Sequence, residues 1–215
     1  MDGRKMDLTK NSIVEYIKSM EIKNKSMKTL EITNIIEILE IAKKAIKEED
    51  VITIKDISNR PLHSISIYQD PDNINIAIIL YALSKIIERT HYRELPGWEK
   101  FEKTYEEAIN NALIALKRKD IAVYRSQIDG IKEGVDKLSG HLKDYIEEIF
   151  RKASINKGSR IYEHGLSMEK AAKILGITLW ELNGYVGQTG ISEVNLTYTL
   201  DIKKRIKNAE EIFER

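Results

Sequence analysis

Cysteine is missing from all 215 residues, which removes disulfides, thiolate chemistry and cysteine-bound zinc or iron–sulfur clusters together. That absence is compatible with a reducing cytoplasm. Net charge is nearly absent too: 35 basic residues face 34 acidic ones, so the whole chain carries no field that gathers polyanions. Long apolar runs are lacking. The longest uncharged apolar stretch, Ile74 to Ser84, is too short to span a bilayer, and the N-terminus has no signal-peptide apolar core. The expectation is a soluble, cytoplasmic protein with no membrane partner.

Catalytic signatures are lacking as well. None of His63, His91, His141 and His164 stands at metal-ligand spacing from another histidine or a carboxylate pair. There is no Walker loop, Rossmann glycine fingerprint, nucleophile elbow or His-Glu-x-x-His. The pairs Glu106-Glu107 and Glu147-Glu148 fall on amphipathic helices, where solvated faces explain them. His164, before Gly165, is placed to meet the negative end of a helix dipole. No catalytic residue, metal or cofactor is expected, and the chain reads as non-enzymatic. One stretch offers a weaker alternative. His63 has Arg60, Tyr68 and Asp70 close in sequence, so residues 60–70 read either as a connector or as the ligand loop of a small-molecule-binding helical enzyme.

What is present is helical patterning. Charged residues make up 32% of the chain, and with many isoleucines and few glutamines this resembles a thermophile's composition. The length fits one or two domains. Residues 1–28 are polar and lysine-rich, with an amphipathic piece from Ser12 to Met20 that would dock on the body or on another copy. The spacing predicts a helix over 29–48, striped by Ile32, Ile35, Ile36, Leu39, Ala42 and Ile46. Val51 to Ile57 is β-branched and alternating, so with Ser64 to Tyr68 it offers a two-stranded ribbon. The competing reading is a helical turn over 54–58 and an extended connector through Arg60-Pro61. Asp70-Pro71-Asp72 is a helix start, with a cap, a proline at the first position and an acid on the positive dipole end. Behind it, Ile74 to Ile87 is apolar nearly all round, which marks the centre of the N-terminal core.

Leu95-Pro96-Gly97 breaks the chain, and Trp98 to Lys119 is amphipathic through Phe101, Tyr105, Ala108, Ile109, Ala112 and Leu116. Residues 121–153 continue helical, with Gly130, Gly134 and Gly140 marking kinks, a break near 130 or close helix contacts. Residues 187–190 read as a loop, followed by an extended or irregular Ile191 to Tyr198. A last helix over 200–213 would complete a dimer or dock on its own domain. The expected fold is all-α: a polar segment over 1–28, a helical bundle over 29–150, and a helix-turn-helix unit with its terminal helix over 151–215.

That unit is organised by Gly165 to Val186. Ser167 caps a short helix in which Ala171, Ala172 and Leu175 share one face, the small alanines allowing a second helix to cross closely. Gly176 leaves the helix with positive φ, Ile177 plugs the corner, Thr178 caps again, and Leu182, Tyr185 and Val186 form the inner face of the second helix. This is helix-turn-helix patterning. The outward candidates are Thr178, Leu179, Trp180, Glu181, Asn183 and Gly184. Asn183 is suited to pair with adenine and Thr178 to bond a phosphate, while Glu181 would repel the backbone. Phosphate contacts would come from Lys170, Lys173, Arg151, Lys152, Lys157 and Arg160. Across 151–190 these cations outnumber Glu163, Glu169 and Glu181, a mild positive bias. Leu179 and Trp180 would equally serve as a protein-binding ridge.

Ala153, Tyr162, Gly165, Ser167, Ala171, Ala172, Gly176, Ile177, Thr178, Trp180, Glu181, Gly190 and Ile191 together resemble the pattern of small archaeal and bacterial antitoxin-type proteins. The resemblance spans residues 153–213. It implies a partner among PIN-domain ribonuclease toxins and repression of the operon encoding the pair. Leu179 stands where a basic residue is common in that family, and the helical N-terminal part has no counterpart in those short antitoxins. The leading expectation is a DNA-binding transcriptional regulator, a homodimer on double-stranded DNA. The alternative is a protein-interaction adaptor using Leu179 and Trp180.

Overall fold

The computed structural model describes residues 29–68 and 70–189, and every regular element within them is helical. The helices are α1 (Thr29–Lys47), α2 (Val51–Ile57), α3 (Leu62–Tyr68) and α4 (Pro71–Ile87), then a 3-10 turn (Thr90–Glu94). There follow α5 (Trp98–Lys117), α6 (Ile121–Asp136), α7 (Gly140–Glu163), α8 (Met168–Leu175) and α9 (Leu179–Gln188). The all-α expectation holds. The amphipathic piece over 12–20, the extended 191–198 segment and the helix over 200–213 lie outside the described residues.

The core is built around α4, which packs against α2, α3, α6, α7 and the 3-10 turn. Ile76, Ala77, Ile79, Leu80, Ala82 and Leu83 are fully buried, so this helix is enclosed on nearly every side, as its unbroken apolar run predicts. Asp70 caps it by accepting from Asn73 N, and Pro71 opens it. Arg125 of α6 holds buried Asp72 through its Nε and Nη2 at 2.8–3.2 Å, tying α6 to the start of α4. Among the described residues no helix is long and apolar enough to cross a membrane.

The ribbon does not form, because both segments are helices; the competing helical turn over 54–58 is part of a helix that starts at Val51. Asp50 caps α2 by accepting from the Thr53 amide and hydroxyl at 3.0 and 2.6 Å. Ile54 and Ile57 then share one helical face in the core, while Ile52 points to solvent. Burial at helical spacing outweighs a β-propensity worth about 1 kcal/mol across its whole scale. Pro61 sits in a tight turn rather than an extended connector, and residues 62–68 are helical rather than loop, with His63 on that helix.

Of the readings open for the glycines of the 121–153 segment, close helix contact holds at Gly134 and no break falls near 130. The helix runs straight through Gly130 and Gly134 and stops at Asp136. Gly134 sits where Thr104 and Phe101 of α5 approach closely, so this glycine serves helix contact. The chain reverses instead through Lys137 to Gly140, where Gly140 takes φ +60°. α7 then continues unbroken past residue 150 to Glu163, and its second half carries α8 and α9.

Candidate functional site

The α8–α9 pair forms as its residues require. Ser167 accepts from Lys170 N, and Ala171, Ala172 and Leu175 are buried. Gly176 adopts φ +64°, ψ 28°, the left-handed conformation that costs glycine little. Ile177 N then reaches back to Ala172 O at 3.1 Å, closing α8 with a Schellman arrangement. Thr178 and Glu181 cap α9 reciprocally: Glu181 N donates to the Thr178 hydroxyl at 3.2 Å, and Thr178 N donates to the Glu181 carboxylate at 2.8 Å. Leu182 and Val186 are fully buried on the inner face.

The pair seats on α7 at a glycine. A Cβ at Gly158 would lie 3.0–3.2 Å from methyl groups of Leu175, Ile177 and Leu182, so all three anchors converge on a spot with no side chain. Two residues earlier, Asn156 Nδ2 donates to the Tyr185 hydroxyl at 3.0 Å. Neither contact was anticipated from sequence. The available signal was a glycine inside a long helix, which costs about 1 kcal/mol against alanine and so invites a packing reason.

The expected contact residues fare unequally. Asn183, Lys170 and Lys173 are exposed, and neither lysine forms an ion pair among the described residues. The Thr178 hydroxyl is consumed by its cap, since it also donates to Glu181 at 2.7 Å. Lys157 is a correction: it is fully buried and cannot reach a phosphate. Its position in the 3.6-residue repeat turns it toward α2 and α4. Arg160 and Arg151 are exposed but engaged, Arg160 with Glu163 at 2.9 Å and Arg151 with Glu181 at 2.6 Å. Lys152 pairs with Glu148 at 3.3 Å. The hydrogen bond to Glu181 pushes the Arg151 guanidinium up, and the Thr178 hydroxyl, then its amide, hold the Glu181 carboxyl below its usual range.

The outer face of α9 is left uncovered by the described residues. Trp180 is 84% exposed and Leu179 49%, and a Cβ built on Gly184 or Gly187 would meet open space. The surface therefore combines a large apolar ridge, one amide-bearing side chain and a smooth strip, with Lys170 and Lys173 on the neighbouring helix. Among the described residues no cluster of carboxylates and histidines could hold a metal ion. Comparison with protein-family models, curated proteins and solved structures finds no match to this chain.

Proposed function

We propose that the protein is a non-enzymatic, cytoplasmic DNA-binding regulator whose α8–α9 pair acts as a helix-turn-helix. The observation that supports this reading is the uncovered N-terminal face of α9, seated on α7 at Gly158. In this arrangement α9 enters the major groove, Asn183 reads an adenine edge, and Lys170 and Lys173 contact phosphates. The helices over 29–150 serve dimerisation or partner binding. A homodimer places two such units on half-sites about one helical turn apart. With two cations per protomer, the affinity should fall with salt at a log–log slope of about −1.8 per protomer. Fluorescence-polarisation titration against the chain's own upstream DNA and a scrambled duplex, at two salt concentrations, tests it. Tighter, salt-sensitive binding to the native fragment supports the regulator; equal binding to both duplexes overturns sequence-specific recognition.

The exposure of Trp180 favours a second reading. A tryptophan uncovered to that degree, beside Leu179, is the kind of aromatic anchor that protein interfaces use. The partner would be a protein, of the PIN-domain ribonuclease toxin class that the family resemblance implies. Association would then tolerate salt and be lost in Trp180→Ala.

A further inference from the structure

α1 packs on α5 and α2, and a groove runs between it and the start of α2. Ile41 and Ala45 give this groove an apolar floor, and Glu40, Glu48, Asp50 and Thr53 stand around it. Glu37, Ile41, Lys44 and Glu48 recur at helical spacing, so they share one side of α1. Ile52, next to Thr53 on α2, is 74% exposed.

The lining is acidic, with three carboxylates and one ammonium, Lys44. Glu40 is held by Lys117 of α5 at 2.5 Å, and Asp50 caps α2. Glu48 meets Lys44 only at 4.0 Å, with its side chain 57% exposed. An open groove with an apolar floor and a negative rim suits an amphipathic segment edged by cations.

The chain itself contains one. Ile13, Tyr16, Ile17 and Met20 recur at helical spacing, Lys10 and Lys23 flank them, and residues 1–28 hold seven basic side chains against four acidic ones. A stripe this short does not sustain a helix in water without a surface to bury it. Its tether reaches: residues 21–28 span at most about 29 Å, whereas Thr29 to Ile41 is about 18 Å along α1. As a helix the stripe from Met20 back to Ile13 is about 10 Å long, about the distance from Ile41 to Glu48.

We propose that residues 12–20 occupy this groove in the same molecule, antiparallel to α1, as the first arm of a helical hairpin. Ile13, Ile17 and Met20 cover Ile41 and Ala45, and the flanking lysines meet the acidic rim. Dimerisation through the helices over 29–150 then uses another face, since the chain's own N-terminal segment fills this one. The docking does not depend on whether α9 reads DNA.

Because cysteine is absent, Lys47→Cys in the full chain accepts a single nitroxide label at the edge of the groove. Glu169→Cys on α8 provides a control label elsewhere. In ¹⁵N-labelled protein the amides of residues 13–20 should lose intensity with the label at 47 and keep it with the label at 169. They should stay sharp when nitroxide-bearing chains without ¹⁵N are mixed with ¹⁵N chains without nitroxide. Ile17→Asp, which alters no residue of the described helices, should restore the lost intensity. Sharp amides with the label at 47 overturn the proposal, as do equal losses from both labels or losses that persist in Ile17→Asp. Loss in the mixed sample overturns it in favour of the segment of a second copy.

Discussion

Arg151 of α7 and Glu181 of α9 meet at 2.6 Å, and the same carboxylate completes the cap of α9 with Thr178. The cation that sequence offers to a phosphate is therefore held by the anion that would repel one. Arg151 also reaches Glu148 at 3.4 Å, so its charge is spent within the protein. The contact positions the first turn of α9 against α7, and it sets how basic the candidate interface can be.

Replacing Glu181 by Gln keeps a side-chain oxygen for the cap and removes the negative charge. On the DNA-binding reading, Glu181→Gln should bind duplex DNA more tightly. Its log–log salt slope should steepen by about 0.9 as Arg151 becomes available to one phosphate. Fluorescence polarisation across a salt series measures both. An unchanged slope would show that Arg151 does not face DNA.

Trp180 contributes little to folding because its surroundings are water. Trp180→Ala should leave the denaturation midpoint within about 0.5 kcal/mol of the parent. Loss of a co-purifying protein partner with DNA affinity intact would favour the adaptor; loss of DNA affinity alone would place the indole at the duplex.

Gly158 and Gly130 form a paired test of packing against propensity. Alanine at Gly130 meets open space and should stabilise by about 0.5–1 kcal/mol, the ordinary helical gain. At Gly158 the added methyl would crowd Leu175, Ile177 and Leu182 at 3.0–3.2 Å. Overpacking of that kind costs about 1–3 kcal/mol, enough to reverse the sign. Urea unfolding of the two variants reads the difference, and equal stabilisation of both would contradict the seat.

Asp70 should make acid conditions locally favourable. Burial first, then neighbouring Asp72, raise its pKa to about 6. The folded chain thus takes up this proton at a higher pH than the unfolded one, whose value is roughly 3.9. This contribution to stability grows as pH falls from about 6 to 4 and is absent at neutral pH. Asp70→Asn, which keeps a capping oxygen, should be more stable than the parent at pH 7.5 and match it near pH 4. Thermal melts at the two pH values decide it; identical differences at both would remove Asp70 as the source.

The helices were legible where local signals agree. Asp70-Pro71-Asp72, the apolar run to Ile87, and the Ser167, Gly176 and Thr178 punctuation each specify a backbone state through neighbours a few residues away. Those elements appear as expected. At Val51 to Ile57 the sequence left a ribbon and a helical turn both open, and the helix forms because Asp50 caps it and the core accepts Ile54 and Ile57. At Gly130, Gly134 and Gly140 a break and a close helix contact both stayed open, since a glycine lowers helix propensity without saying whether packing will hold the turn.

The identity of each side chain determined the all-α class, the caps and the inner face of the α8–α9 pair, because these depend on short-range spacing. Only the tertiary structure decided which cations face solvent. Lys157, Arg151 and Arg160 look equivalent along the chain, yet one is buried against Ser58 and Asn59 and the other two are neutralised by carboxylates, Arg151 by one 30 residues away. Charge is a property of a residue, but its availability depends on what the fold brings beside it.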